Sequence, residues 1–256
     1  MKAALPSDAY VLCSNPRSGT TLTCDLLRQT GVAGAPESFF RQKSLADWCT
    51  SWAIEGEVRP EEECFSRAYF NAMRRAGQAG TQTFGLRLMG PDLTFACDWL
   101  ARLHPDVPTD RARFEAAFGP TRYIHLSRRD KLAEAVSYLR AEQTGLWHAH
   151  PDGGDIERIA PSEPEGYDPD RITARIEMLQ AYDVAWSEWF ADQGIKPLRV
   201  SYEALCKDTL GVLSKMLQFL NKDPELAKTV SPGTRKLADD TSATWIAEYR
   251  RTYPAG

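Results

Sequence analysis

Residues 10–22 constrain the fold of this 256-residue chain more than any other stretch. A β-branched and aromatic run at 10–14 leads into a turn of Gly and small hydroxyl residues, and a helical pattern starts at Thr20. In such a connection the unpaired N–H groups of the helix start point into the turn, and the helix dipole adds partial positive charge there. Arg17 adds a full cation. The stretch therefore predicts an anion-binding loop, with a nucleotide phosphate as its ligand.

The loop differs from the kinase-type loop G-x-x-x-x-G-K-[ST]. Asn15 stands where the first Gly is expected, and no Lys follows Gly19. The candidate phosphate-binding groups are the cation and the residues of the turn, namely Arg17, Ser18, Gly19, Thr20 and Thr21. An ordinary strand–turn–helix connection is the alternative interpretation of these residues taken alone.

Strand and helix signals alternate along the rest of the chain. Strands are predicted at 10–14, 84–89, 121–127 and 196–202, and helices at 20–30, 43–52, 61–78, 92–103, 130–142, 170–190 and 203–220. This alternation predicts βαβ units, and hence an α/β fold with a parallel β-sheet flanked by helices, as one domain over residues 1–256. Residues 152–168 are rich in Pro, Gly and acidic residues, so we predict a mobile loop there.

Composition argues against several classes of function. A formal net charge of −4 does not suit a nucleic-acid-binding protein. No stretch approaches the length of a membrane span, and the N-terminus lacks the pattern of a secretion signal, so we expect no stable membrane insertion and a cytoplasmic location. The six cysteines form no CxxC pair and the four histidines form no metal-binding pattern, so we expect no metal.

A second candidate phosphate contact follows the predicted strand at 121–127. Arg129 lies at the carboxyl end of that strand, and Ser137 lies eight residues later on the predicted helix. Ligands of parallel sheets bind at the carboxyl ends of the strands. A guanidinium offers paired donors to a phosphate, and a hydroxyl adds another. By itself the pair means little, but together with the first loop it predicts two phosphate-binding groups at one edge of the sheet.

These motifs resemble those of sulfotransferases. P-R-S-G-T-T-L at 16–22 is similar to the family's P-[KR]-[ST]-G-[ST]-[ST]-[LW] loop for the 5′-phosphosulfate of 3′-phosphoadenosine 5′-phosphosulfate (PAPS). Its Arg-x7-Ser pair, which grips the 3′-phosphate, matches Arg129 and Ser137. T-G-V-A-G-A-P-E-S-F-F at 30–40, G-L-R-L-M at 85–89, R-A-E-Q-T-G-L-W at 140–147 and W-I-A-E-Y-R-R at 245–251 resemble the bacterial trehalose 2-sulfotransferase (Stf-zero-like) carbohydrate sulfotransferases. The matches run almost from end to end of the chain.

The resemblance implies a reaction and a set of site residues. It implies in-line transfer of a sulfuryl group from PAPS, without a metal, to a hydroxyl of a carbohydrate or glycolipid, by an enzyme that forms a homodimer. The implied PAPS-binding residues are Arg17, Ser18, Gly19, Thr20, Thr21, Arg129 and Ser137. The implied acceptor-binding residues are Ser38, Phe40 and Arg87. Arg17 is also implied to be catalytic, because it faces the bridging oxygen on which negative charge grows.

The chain departs from the family pattern at the base. Ser38 aligns with the family's catalytic Glu, and Glu37 precedes it, so Glu37 is the candidate base, with His125 or Glu142 as alternatives. Gly90 stands where an aromatic residue often occurs, which predicts an enlarged pocket. Two other functions remain open from the sequence: a small-molecule kinase with a phosphate-binding loop, and a catalytically silent nucleotide-binding protein of the same fold.

Overall fold

The structure alternates strands and helices as the sequence predicts. The computed structural model describes residues 8–149, 155–158, 165–231 and 239–253. Its strands are β1 (Asp8–Ser14), β2 (Thr83–Met89), β3 (Thr121–Ser127), β4 (Leu146–Ala149), β5 (Asp155–Arg158) and β6 (Leu198–Ser201). Its α-helices are α1 (Thr20–Gln29), α2 (Leu45–Ser51), α3 (Glu63–Gln78), α4 (Leu93–Leu103), α5 (Asp110–Phe118), α6 (Lys131–Thr144), α7 (Pro169–Asp192), α8 (Tyr202–Lys207), α9 (Thr209–Phe219) and α10 (Asp240–Thr252). Short 3₁₀ helices occupy Gln42–Ser44, Gly90–Asp92 and Pro224–Thr229.

Four parallel strands form the main sheet in the order β2-β1-β3-β6. The chain runs from β1 to β2 on one side and later returns to β3 on the other side of β1. In open α/β sheets such a reversal creates a crevice outside the carboxyl ends of the strands, where ligands bind. Ser14 is in register with Met89 of β2 and Leu126 of β3, so the loops after all three strands leave the sheet at the same edge. The predicted α/β fold with a parallel sheet is confirmed.

Both faces of this sheet are buried. Side chains of β1 alternate between faces, so that Val11 and Cys13 join one core cluster while Tyr10 and Leu12 join another. The first cluster lies against α3, α4, α5 and the end of α7, and the second against α1 and α9. Burial on both faces is typical of parallel sheets, and it explains why β1 reads as a continuous apolar run. The core thus fixes the position of the loop that follows β1.

Three regions differ from the sequence prediction. The helix predicted at 203–220 is interrupted at Asp208, whose carboxylate accepts a hydrogen bond from the Gly211 backbone N–H and so begins α9. Helices α5 and α10 were not predicted. Within the predicted loop 152–168, Asp155–Arg158 forms a strand that pairs antiparallel with β4, so the absence of secondary structure predicted there is wrong for those four residues. Residues 152–154 and 159–164 lie outside the described residues, and the mobility of the segment stays a prediction.

None of the helices in the described ranges combines the length and apolar character that crossing a membrane requires.

Candidate active site

The loop after β1 is tied together by its own side chains. The hydroxyls of Ser14 and Ser18 lie 2.5 Å apart, and Ser18 donates a 2.6 Å hydrogen bond to the Asn15 carbonyl. Ser14 also donates to the carbonyl of Leu126 in β3. All three loop residues are at most 1% exposed. The buried Ser18 side chain therefore stabilises the loop through internal contacts. The group that Ser18 can offer to a ligand is its backbone N–H.

Backbone conformation turns this loop into the start of α1. Arg17 and Gly19 have φ values of 69° and 88°, in the left-handed region. A Cβ at Gly19 would lie 2.7 Å from the Tyr202 ring, so both the conformation and the space require glycine here. No side chain caps the N-terminus of α1, and its first turn carries no acidic residue. Since helix N-termini and left-handed turns collect N–H dipoles, this geometry favours a bound anion.

The Arg17 side chain connects the loop to the element that carries Ser137. Its Nε donates a 3.0 Å hydrogen bond to Ser137 Oγ on α6, and a terminal nitrogen donates to the carbonyl of Trp147. The guanidinium also lies over the Trp147 ring, 5.9 Å from its centroid. The structure thus brings together Arg17 and Ser137, which are 120 residues apart in the sequence.

Arg129 lies at the carboxyl end of β3 but is mostly exposed. Its side chain is 73% accessible and its Nε lies 3.4 Å from Glu203 Oε2. Glu203 Oε1 accepts backbone N–H hydrogen bonds from Arg129 and Asp130 at 2.9 and 3.2 Å. Burial acts to raise the pKa of Glu203, but these hydrogen bonds together lower it below its ordinary value. Glu203 thus holds the backbone after β3 in place, while the Arg129 side chain extends into solvent.

Arg128 is one of the basic residues that the sequence gathers where an anion is expected, but it was not assigned a role in the site. Its guanidinium lies 4.6 Å from the centroid of the Tyr202 ring, and its Nη1 donates a 3.3 Å hydrogen bond to the carbonyl of Arg17. It therefore supports the loop after β1 from the segment after β3. Its position directly after a predicted strand, beside Arg129, was the available signal.

Arg87 on β2 contacts other residues that are expected on the acceptor side. Its Nε donates to Ser38 Oγ at 2.8 Å, and its Nη2 lies 3.3 Å from Glu37 Oε2. Its Nη1 donates to Thr21 Oγ1 at 3.3 Å, which connects this group to α1. Glu37 also pairs with Leu86 as a parallel bridge on the outer edge of β2. Three side chains predicted from two separate motifs, those of Thr21, Glu37 and Ser38, therefore surround the guanidinium of Arg87.

Phe40 does not share this environment. It is 1% exposed and packs edge-on against Phe70 and Trp99, with ring centroids 5.8 Å away in both cases. The structure places Phe40 in the hydrophobic core, where it supports the backbone of the acceptor-side segment from below.

The two alternative bases are engaged elsewhere. His125 is 4% exposed, and burial, together with the nearby charge of Arg199, lowers its pKa to about 4. Its Nδ1 lies 3.1 Å from an Arg199 nitrogen. Glu142 makes a two-pronged pair with Arg175, with contacts of 2.8 and 3.0 Å. Among the candidate bases, Glu37 is the carboxylate beside the phosphate-binding loop.

The space predicted at Gly90 is already filled. A Cβ there would lie 2.6 Å from Asn15 Oδ1 and 3.0 Å from the Tyr182 Cβ. Gly90 is therefore needed for close packing of the turn after β2 against the loop and α7, and the prediction of an enlarged pocket is wrong.

A buried polar network beneath the loop was missed by the sequence analysis. Asn15 Nδ2 donates to Asp183 Oδ1 at 2.6 Å, and Lys131 Nζ reaches Asp183 Oδ2 at 2.7 Å and Glu134 Oε2 at 2.8 Å. Burial raises the pKa of Glu134 to about 7, although Lys131 acts to lower it. Asp183 lies in the middle of the long helix α7, where nothing in the local pattern distinguishes it from a surface residue.

Within the described part of the chain, no group of three or more His, Cys, Asp or Glu side chains could hold a metal ion. The site is instead a crevice lined by guanidinium groups, hydroxyls and helix-start amides. Such an arrangement binds and stabilises a polyanion with phosphate-like groups.

Comparison with known proteins supports this chemistry. The model of the family described as "Stf0 sulphotransferase" matches residues 9–252. A trehalose 2-sulfotransferase of Mycolicibacterium smegmatis is 30% identical over 269 residues, covering 95% of this chain and 94% of that protein. Another, from Mycobacterium tuberculosis, is 27% identical over 264 residues, covering 96% and 95%.

A solved sulfotransferase domain from the Synechococcus PCC 7002 olefin synthase is more distant. It is 17% identical, with coverage of 100% of this chain and 92% of that one, and the TM-score is 0.48. This likeness carries no argument about the site. The family match, by contrast, spans residues 9–252, which is nearly the whole chain. This chain therefore belongs to the Stf0 sulphotransferase family and is a transferase.

Proposed function

We propose that the protein transfers a sulfuryl group from PAPS to a hydroxyl of a carbohydrate. The observation that carries this proposal is the contact between Arg17 and Ser137, because it joins the two halves of the donor site at the crevice between β1 and β3. The relatives named trehalose 2-sulfotransferases make a sugar the first acceptor to test.

The donor has two anionic ends, and the crevice offers cations for both. The N–H groups of residues 18–21 and the Arg17 guanidinium lie where the 5′-phosphosulfate would bind. Arg129 and Ser137 follow the neighbouring strand and are proposed to bind the 3′-phosphate. Ser137 Oγ accepts the hydrogen bond from Arg17, so its own O–H can donate to the donor's phosphate without breaking that contact.

The reaction requires little covalent chemistry from the protein. The acceptor oxygen forms a bond to sulfur while the bond from sulfur to the 5′-phosphate oxygen breaks, which leaves adenosine 3′,5′-bisphosphate. A loose in-line transition state places growing negative charge on that leaving oxygen, and Arg17 and the loop amides stabilise it. The acceptor proton passes to Glu37, which the Arg87 pair holds beside Thr21 of the loop.

Donor recognition is tested by thermal shift. Adenosine 3′,5′-bisphosphate should raise Tm clearly more than AMP at the same concentration, because Arg129 and Ser137 are proposed to bind the phosphate that AMP lacks. Equal shifts with the two nucleotides would contradict the proposed donor.

Turnover is tested with labelled PAPS and a panel of sugars that begins with trehalose. Transfer of label would exclude the alternative that the protein binds the nucleotide without catalysing a reaction. That alternative arises because Ser38 stands where the family has its catalytic Glu. Glu37→Gln should lower kcat by about 10²-fold to 10⁴-fold, the usual contribution of general base catalysis, with little change in donor binding. Glu63→Gln, on an exposed helical carboxylate, is the matched control. Unchanged kcat in Glu37→Gln would remove Glu37 from its role.

A further inference from the structure

Asp92 is an aspartate at a helix start that does not cap its helix. Six aspartates among the described residues occupy such positions, and five of them accept a hydrogen bond from a backbone N–H of the following turn: Asp130, Asp168, Asp208, Asp223 and Asp239. Asp92 precedes α4 and accepts none. Its φ and ψ of −99° and −3° continue the 3₁₀ turn Gly90–Asp92 into the helix, whereas a capping residue is typically extended. Its carboxylate is therefore available for another partner.

The location of Asp92 is the carboxyl edge of the sheet, next to the loop after β1. Met89, at the end of β2, is in register with Ser14, and Gly90 packs against Asn15. Asp92 follows Gly90 by two residues, and the charge of Arg87, whose guanidinium contacts Glu37 and Thr21, acts to lower the pKa of the Asp92 carboxyl. Asp92 thus belongs to the acceptor side of the crevice.

The groups around Asp92 leave its carboxylate half-buried and without a close partner. Within the described ranges it takes part in no hydrogen bond and no ion pair, and the charges that act on it are those of Arg41 and Arg87. Burial raises the pKa of Asp92 to about 6, which these two cations only partly offset. A carboxylate kept in such surroundings is costly unless a ligand supplies donors to it.

We propose that Asp92 binds the acceptor: its carboxylate accepts hydrogen bonds from sugar hydroxyls other than the reacting one, and these bonds are as strong in the bound substrate as in the transition state. This inference rests on the proposed function. A polyhydroxyl ligand suits the site because an ionised carboxylate accepts hydrogen bonds only, and sugar hydroxyls donate them. The anionic donor does not suit it, since like charges repel. Glu37 and Asp92 then have different roles: Glu37 takes the proton of the reacting hydroxyl, and Asp92 contributes to the affinity for the sugar.

The test compares steady-state kinetics of Asp92→Asn and wild type on the acceptor sugar. We expect the acceptor KM to rise about tenfold to a hundredfold, the loss associated with a hydrogen bond to a charged group, while kcat changes less than about threefold. The donor KM and the Tm shift caused by adenosine 3′,5′-bisphosphate should stay as in wild type. Asp98→Asn, at an exposed position on α4, is the matched control and should match wild type throughout.

The pH profile supplies a readout that a merely structural role would not move. The ionised form of Asp92 accepts the hydrogen bonds, so protonation as pH falls through about 6 weakens acceptor binding. Between pH 7 and pH 5 the wild-type acceptor KM should rise, and the KM of Asp92→Asn should rise less. The charged and titratable groups that act on Asp92 are Arg41, Arg87 and Tyr182, and burial raises the pKa of Tyr182, which keeps it neutral in this range.

Outcomes separate this inference from the proposed function. An unchanged acceptor KM in Asp92→Asn, with wild-type turnover intact, overturns the inference alone. A loss of kcat at constant KM also overturns it, and would assign proton transfer to Asp92. Absence of wild-type transfer to any sugar, or of a Tm shift with adenosine 3′,5′-bisphosphate, overturns the proposed function and this inference with it.

Discussion

The segments after β1 and after β3 follow neighbouring strands, and each contains an Arg that is proposed to bind the donor, yet they are built differently. In the first, Ser14, Asn15 and Ser18 are at most 1% exposed, and Arg17 already contacts Ser137 and Trp147. In the second, the Arg129 side chain is 73% exposed, and its one ion pair among the described residues is the 3.4 Å contact with Glu203. The Arg17 guanidinium is thus held by contacts within the protein, and we expect Arg129 to take its final position when the proposed donor binds.

The two ends of the proposed donor, PAPS, have different requirements, and this difference in burial and contacts is consistent with them. The 5′-phosphosulfate end reacts, so its surroundings must hold the in-line geometry, and a misplaced group costs rate. The 3′-phosphate end only anchors the donor, and a mobile guanidinium can do that at some cost in side-chain entropy. The proposed site is thus rigid around the 5′-phosphosulfate, where bonds change, and adaptable around the 3′-phosphate.

Arg17→Ala should have the largest effect. Arg17 is proposed to contact the reacting end through a pre-positioned guanidinium, and charged hydrogen bonds are worth about 1.5–3 kcal/mol each, so kcat over donor KM should fall about 10²-fold to 10³-fold. Single-turnover transfer from labelled PAPS measures it. Arg28→Ala, on the exposed face of α1, is the control and should have no effect. A loss smaller than that of Arg129→Ala would reverse the comparison.

Gly19→Ala should come second, as a loss of stability. The φ of 88° costs an L-residue about 1–2 kcal/mol, and a Cβ placed 2.7 Å from the Tyr202 ring adds overpacking, so the free energy of unfolding should fall by about 2–4 kcal/mol. Gly31→Ala separates the two causes, because Gly31 has φ 68° with nothing within 4 Å of its Cβ, and only the first cost applies. Urea titration measures both variants. Equal losses would show that the Tyr202 contact does not constrain the loop.

Arg129→Ala should have the smallest effect of the three. The affinity for adenosine 3′,5′-bisphosphate should fall about tenfold to thirtyfold, as expected for one charged contact at an exposed site. Without ligand its Tm should equal that of wild type, since an exposed pair with Glu203 adds little stability. Isothermal titration with the bisphosphate and with AMP measures the change. A comparable loss of affinity for AMP would show that Arg129 does not bind the 3′-phosphate.

Much of the fold follows from local patterns. β1 reads as an unbroken apolar run over residues 10–13, because burial on both faces leaves no polar alternation there. It was predicted at 10–14 and spans Asp8–Ser14, whereas β3, predicted from its β-branched and aromatic residues, has the predicted bounds. The first helix was predicted at 20–30 and spans Thr20–Gln29, with Gly31 in the left-handed conformation just beyond its end. Such signals depend on neighbours in sequence, so a sequence is sufficient to read them.

The missed elements depend on partners that are distant in sequence. Helix α5 buries only Phe114, Ala117 and Phe118, too narrow a stripe to give a helical period. The pairing of β5 with β4 and the cap at Asp208 depend on particular backbone partners. Site residues differ in the same way. Local motifs identified Arg17, Glu37 and Arg87 as candidates, whereas the Asp183 network beneath the loop is visible only from tertiary packing.

The parallel bridge between Glu37 and Leu86 attaches the acceptor-side segment to the outer edge of β2. Such an edge attachment has an evolutionary consequence. Phe39 and Phe40 are 1% exposed and fix this segment in the core, whereas Glu37 and Ser38 lie outside that core cluster. We therefore expect changes of acceptor preference among relatives to concentrate at positions 37 and 38, because substitutions there need not alter the packing of the central strands.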